Sequence, residues 1–243
     1  MPRANRYIVS GCIYHITHRC HDRKFLFRFA KDRGQYRNRL REAVLESDLS
    51  LLTYNITSNH VHLIAFANDA IQIARVMQQA AGAFARDYNR RKDRSGSFWE
   101  GRYHVTMVDS GQYLWECMKY VELNMVRCGA VQHPREWPWS GYGELMGQRK
   151  RNRLLDVEKL LWLLRSSDLG EFQLHFNRAL EESMAKDEMQ REPKWTNSLA
   201  VGSQTYVENM KGEVRNRQTL ESRQDGDAWI LREEYSTLFE PEK

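Results

Sequence analysis

Apolar positions along this chain change their period several times, and each change marks an element. Gly11-Cys12-Ile13-Tyr14-His15-Ile16-Thr17-His18-Arg19 alternates and is rich in β-formers, which predicts a first strand. From Asp32 to Glu46 the interval lengthens, with Tyr36, Leu40, Ala43 and Val44 recurring at helical spacing. Leu49 to Ile56 and Val61 to Phe66 read as two further strands, joined by a turn at Thr57-Ser58-Asn59. Ala74, Met77, Ala81, Phe84 and Tyr88 then form the three-four stripe of a second helix, and Arg102 to Val108 is a fourth strand. Strand, helix, strand, strand, helix, strand is the split order of a ferredoxin-like α+β sheet with its helices packed on one face. The strand beginning near His60 is central in that order.

Ser110 to Gly129 reads as one helix, capped at Ser110 and stopped at Gly129. Leu114, Cys117, Val121 and Met125 make its core stripe, while Tyr120 and Asn124, four apart, share an adjacent face and can point into a cleft. Trp137-Pro138-Trp139-Ser140-Gly141-Tyr142 is a rigid turn that closes a first domain, 1–147. Residues 148–243 read as a helical C-terminal extension. Helices are expected over Asp156 to Leu164 and Phe172 to Met184, with a third opening near Gly202 to Met210. No chemistry is legible in this extension.

His60-Val61-His62 is the most informative stretch. Alternation along a strand puts both imidazoles on one face, about 7 Å apart. Two neutral imidazoles so placed can grip one divalent ion; the alternative is a pair of half-buried strand histidines. Charge adds a second signal. Residues 1–150 hold 23 Lys and Arg against 14 Asp and Glu, whereas 151–243 hold 14 against 18, so the basic half is the candidate polyanion binder. Arg86 to Arg94 is strongly basic and runs into Phe98-Trp99-Glu100-Gly101-Arg102-Tyr103-His104. Interleaved cations and rings suit single-stranded nucleic acid, and equally a solvated helix end beside an aromatic loop that closes the core. Arg90, Arg91, Lys92 and Arg102 are the candidate phosphate contacts, and Trp99 and Tyr103 are candidate stacking rings.

Composition narrows the class. Hydrophobic residues make up 41%, which excludes a wholly disordered chain, and no apolar run approaches the roughly 20 residues of a membrane span. The first residues show no secretory signal. Cys12, Cys20, Cys117 and Cys128 lack metal-site spacing and disulfide density, so reduced thiols in a cytoplasmic protein are expected.

Four blocks in order carry a family likeness: Gly11 to Thr17; Ser58-Asn59-His60-Val61-His62-Leu63-Ile64; Ser95 to Tyr103; and Tyr120-Val121-Glu122-Leu123-Asn124-Met125-Val126-Arg127-Cys128-Gly129. Over roughly residues 5–145 the chain resembles the single-tyrosine HUH transposases, most closely the REP-associated tyrosine transposases. The resemblance implies a ferredoxin-like sheet followed by a helix that bears the nucleophile. It implies that His60, His62 and Asn124 are ligands of Mg²⁺ or Mn²⁺ and that Tyr120 is the nucleophile, with Tyr113 the rival tyrosine. By ligand preference alone Zn²⁺ fits two imidazoles at least as well. The implied activity is cleavage and rejoining of single-stranded or hairpin DNA through a 5′-phosphotyrosine, and a homodimer stays open as the assembly.

The family's usual Asn-Pro-Val stands here as Asn124-Met125-Val126, which should relax a helix kink rather than delete a ligand. Thr17-His18-Arg19-Cys20-His21-Asp22-Arg23 is richer in histidine than the family pattern and is expected to be a solvated loop. His104 and Glu122 are weaker candidates. Rival functions are a domesticated nucleic-acid-binding protein that no longer cuts, and a rolling-circle initiator or relaxase.

Overall fold

Seven strands and ten α-helices are laid out by a computed structural model that describes residues 8–186, 190–214 and 220–233. In chain order the first part comprises β1 (Cys12–Arg19), α1 (Ala30–Leu45), β2 (Leu49–Ile56), β3 (His60–Ala67), α2 (Ile71–Met77), α3 (Ala83–Arg91) and β4 (His104–Val108). There follow α4 (Gln112–Glu122), α5 (Asn124–Arg127), α6 (Tyr142–Leu145), α7 (Val157–Leu164), α8 (Leu169–Ala185), α9 (Lys194–Asn197), β5 (Ala200–Gly202), α10 (Gln204–Glu213), β6 (Leu220–Asp225) and β7 (Ala228–Glu233). Residues 5–7, where the family likeness begins, lie outside the described residues.

One sheet runs β2-β3-β1-β4-β5-β7-β6. Its first four strands are antiparallel in the ferredoxin-like order, with β3 between β2 and β1. Period-two alternation divides the sheet's side chains between two cores. Tyr14, Ile16, Val61, Leu63 and Ala65 face α1 and α3, whereas Ile13, Ile64, Phe66 and Val108 face α4, α7 and α8. His15, His60 and His62 share the parity of the second face. Because a one-residue slip would swap both cores, the apolar pattern fixes the register that places these rings.

Three differences from the sequence pattern have physical causes. The second helix is interrupted at Gln78–Gly82 by a π-helical turn, where Ala81 offers its carbonyl to the Trp99 indole N–H at 3.1 Å. Thr17 to Arg19 belongs to β1, as the alternation predicts, but His18 does not sit in a solvated loop: it is buried with its ring stacked on Trp99 at 3.9 Å. The tyrosine helix begins after Gly111, at φ 64, rather than on a Ser110 cap. It also breaks at Leu123, although no proline is present. Side chains capture carbonyls at its end: Arg127 donates to the Tyr120 oxygen at 2.9 Å and Asn55 to the Val121 oxygen at 2.9 Å. Gly129, at φ 71, ends α5 as expected.

The helical extension also carries three strands. Parallel pairing of β5 with β4 brings in the β5-β7-β6 end of the sheet, and two polar joints tie the extension to the first part. Arg37 and Glu144 form a buried ion pair at 2.8 Å, and the second Glu144 oxygen accepts from the Leu154 and Leu155 amides. Asp156 caps α7 and takes the Ser50 hydroxyl at 2.6 Å. No described helix is long and apolar enough to cross a membrane. All four cysteines are free, with only Cys128 exposed.

Candidate active site

β3 and the end of α4 bring His60, His62, Tyr120 and Asn124 together. The His60 and His62 ring centroids are 4.7 Å apart, and Tyr120 meets His62 edge-on at 5.9 Å. Asn124 Nδ2 lies 3.2 Å from His62 Nε2. Tyr113 instead packs against the core between the sheet and α8.

Hydrogen bonds define the tautomers. Thr57 spends its hydroxyl proton on the His60 carbonyl at 2.8 Å, so His60 Nδ1–H donates to the Thr57 oxygen (2.9 Å) and to Asn59 Oδ1 (2.7 Å). That leaves the Nε2 lone pair of His60 available. His62 is reached through His15, which the family likeness included but which had no assigned role. The Trp195 carbonyl can only accept, so His15 Nδ1–H donates to it at 2.7 Å. His15 Nε2 then accepts from His62 Nδ1–H at 2.8 Å, with the two rings stacked. Burial keeps all three rings neutral: it lowers His15 to about 4 and His60 to about 3, and depresses His62 strongly. Two neutral imidazoles with free Nε2 lone pairs, beside an amide whose oxygen and nitrogen can exchange places, are a donor set that fits a divalent cation. Among the described residues no group of three or more His, Cys, Asp and Glu side chains is arranged to hold a metal ion.

Tyr120 is only 5% exposed. Burial raises its phenol above the ordinary value, and Arg127 and Arg191 oppose that rise. The Arg127 guanidinium lies 4.3 Å over the Tyr120 ring. Glu122, two residues before Asn124 and on the sheet side, is fully buried and pushed up to about 7 by desolvation, with Thr53 donating to it.

A cleft of about 410 Å³ opens over the two histidines and is lined by Arg19, Arg23, Arg102 and Arg191 around a single carboxylate, Glu100. Of the candidate DNA contacts only Arg102 lies there. Arg90 and Arg91 line a different hollow between α1 and α3, where they pair with Asp87 at 2.8 Å and Asp32 at 2.6 Å. Lys92 sits 4.7 Å from the Phe29 ring. Trp99 and Tyr103 are buried in the upper core, the packing alternative for those rings. His104 lines the cleft and contacts the Ser198 carbonyl at 3.1 Å, whereas His21 lies beside Asp22 at 3.4 Å. Arg19 ends β1, as its alternation predicts, and Arg23 lies in the short 3₁₀ turn that follows, within the stretch read as a solvated loop. Arg191 comes from the extension, which had offered no signal.

A ferredoxin-like sheet presenting paired imidazoles to a tyrosine on the following helix is the class of arrangement found here. The family model described as transposase IS200-like matches residues 8–124, ending on Asn124. Among solved structures, a REP-associated tyrosine transposase bound to a REP hairpin is similar at 15% identity and TM-score 0.49, covering 65% of this chain and 93% of its own. A candidate transposase from Deinococcus radiodurans is similar at 21% identity and TM-score 0.34, covering 43% and 84%. No curated protein matches the chain.

Proposed function

We propose that the protein is a metal-dependent transposase-type endonuclease and strand transferase for single-stranded DNA, with Tyr120 as nucleophile and hairpin-forming repeats as substrate. The observation that supports this most is the meeting of Tyr120, His60, His62 and Asn124 on one face of the sheet, inside the segment that the IS200-like transposase family model matches.

In this reading the Tyr120 oxygen attacks a backbone phosphorus and the bond to the 3′ oxygen breaks. The leaving oxygen takes a proton and departs as a 3′-hydroxyl, and the phosphate stays on tyrosine as a 5′-phosphotyrosine. Because the phosphodiester is exchanged rather than hydrolysed, a second 3′-hydroxyl can reverse the step and rejoin DNA. His60, His62 and Asn124 would hold Mg²⁺ or Mn²⁺, which when bound offsets phosphate charge and polarises the P–O bond. Arg127, over the ring, favours the phenolate, and Arg19, Arg23, Arg102 and Arg191 would anchor the flanking phosphates in the cleft.

The test is incubation with labelled hairpin oligonucleotides and Mn²⁺, read on a denaturing gel. A covalent adduct in the wild type that disappears in Tyr120→Phe supports the reading. Binding of the same hairpins by both proteins with no adduct in either would replace it with a binding protein that does not cut.

A further inference from the structure

Three regions of the molecule stand outside the roles assigned so far. Between α4, α7 and α8 lies a hollow of about 470 Å³ lined in part by Trp115, Phe172 and His175, and nothing shows what would cover it. The hollow holding Arg90 and Arg91 has its cations paired with Asp87 and Asp32. The chain of contacts from Trp195 through His15 to His62 is different, because each link has a defined direction and it ends on a ligand of the proposed ion.

We infer that His15 is a positioning residue and that the extension, through the Trp195 main-chain carbonyl, completes the metal site by fixing the tautomer and ring plane of His62. The inference rests on the proposed ligand role of His60, His62 and Asn124. Its geometry begins with α9, which packs on β4 and β1. Trp195 is buried, and its carbonyl accepts from His15 Nδ1 at 2.7 Å; the Thr106 hydroxyl, 3.2 Å away, gives its proton to the Ser198 carbonyl at 2.7 Å. A carbonyl oxygen can accept only, so it sets the His15 proton on Nδ1. The His15 Nε2 lone pair then claims the His62 Nδ1 proton at 2.8 Å, with the two ring planes 11° from parallel. What remains on His62 is the Nε2 lone pair, aimed at Asn124. Without His15, the His62 proton could reside on either nitrogen, and one of the two tautomers cannot bind a cation at Nε2. Trp195 lies far beyond the family-matched segment 8–124, so the extension contributes to the site itself.

The experiment uses the full-length chain with Mn²⁺ alone, without DNA, and reads two quantities. Mn²⁺ affinity is followed by electron paramagnetic resonance, and the His62 tautomer by long-range ¹H–¹⁵N imidazole spectra in EDTA. His15→Phe, which keeps a flat ring, should weaken Mn²⁺ binding about 10- to 100-fold and turn a single Nδ1–H tautomer into a mixture. Gln restores an acceptor near the Nε2 position, whereas Asn restores only the donor toward Trp195. His15→Gln should therefore recover most of the affinity and His15→Asn should not. A filler role would give the opposite order or none. Mn²⁺ affinity within threefold of wild type in a folded His15→Phe, with His62 still a single tautomer, overturns the inference. If His15→Phe does not fold, equal affinities in the Gln and Asn variants overturn it. If wild type and His60→Ala both take up no Mn²⁺, the ligand reading fails instead. The relay is then judged by the His62 tautomer alone, and its persistence in the variants would overturn it.

Discussion

The phenol of Tyr120 is held in its neutral form by burial, while attack on phosphorus requires the phenolate. Since the folded phenol titrates above the ordinary value of about 10, its ionised fraction grows tenfold per pH unit across the neutral and mildly alkaline range. Single-turnover adduct formation should accordingly rise between pH 7 and 9 with a log slope near one, measured at saturating Mn²⁺; a flat profile would mean that proton removal is not part of the slow step. Arg127→Met should lower the rate at each pH by removing the cation 4.3 Å over the ring, with the profile displaced to higher pH. Tyr120→Phe should leave hairpin affinity and folding close to wild type while removing the adduct, because the lost hydroxyl is outside the apolar packing that holds the ring.

Elements were legible where a single period ran uninterrupted, and obscure where side chains or backbone intervened. β2 and β3 read as near-continuous apolar runs because both of their faces are buried, and α1 and α7 follow helical spacing because each buries one face. The π turn at Gln78–Gly82 leaves the stripe of Ala81, Phe84 and Tyr88 intact, so the inserted turn has no signature in the pattern. The break at Leu123 is similarly silent, since it depends on Asn55 and Arg127 reaching the helix from elsewhere. β5, β6 and β7 are short or polar, and pair only because β4 offers an edge. At the site, His60, His62, Tyr120 and Asn124 were readable from spacing and family likeness; Arg19, Arg23, Arg191 and the Trp195 carbonyl were not, because long-range packing alone brings them together. Glu144→Ala should lower stability by about 3–5 kcal/mol in urea titrations, since it leaves buried Arg37 without its carboxylate.

For the whole molecule, the balance of protons sets how stability varies with pH. Unfolded histidine binds a proton near 6.5, whereas folded His15 and His60 do so only near 4 and 3 and His62 is shifted the same way. The unfolded state therefore holds more protons in that window, and stability falls as pH drops below about 6.5. Glu122 has the opposite sign: raised from 4.5 to about 7, it favours the fold at low pH and loses that contribution as pH climbs through the same interval. Three histidines outweigh one carboxyl throughout this range, so urea midpoints of the metal-free protein should rise from about pH 4 to about pH 7.5 and then level off, and Glu122→Gln should steepen the rise between about pH 5 and 7. Electrostatics of binding act at the same scale. Arg23→Ala and Arg191→Ala should each reduce the slope of log affinity against log salt for single-stranded DNA by about 0.7, whereas Arg90→Ala, on the other hollow, should leave it unchanged.

The parallel seam between β4 and β5 has a consequence for any shorter form of the chain. Met107 and Asp109 donate their main-chain N–H groups to Leu199 and Val201. Cut at residue 147, the protein would keep every strand of its ferredoxin-like half yet present β4 as a bare ladder of donors and acceptors, the kind of border along which polypeptides recruit one another. Such a fragment should self-associate in sedimentation experiments at concentrations where the full chain does not. The last hundred residues would then act as the selvedge of the sheet, the finished margin that keeps it from joining another sheet.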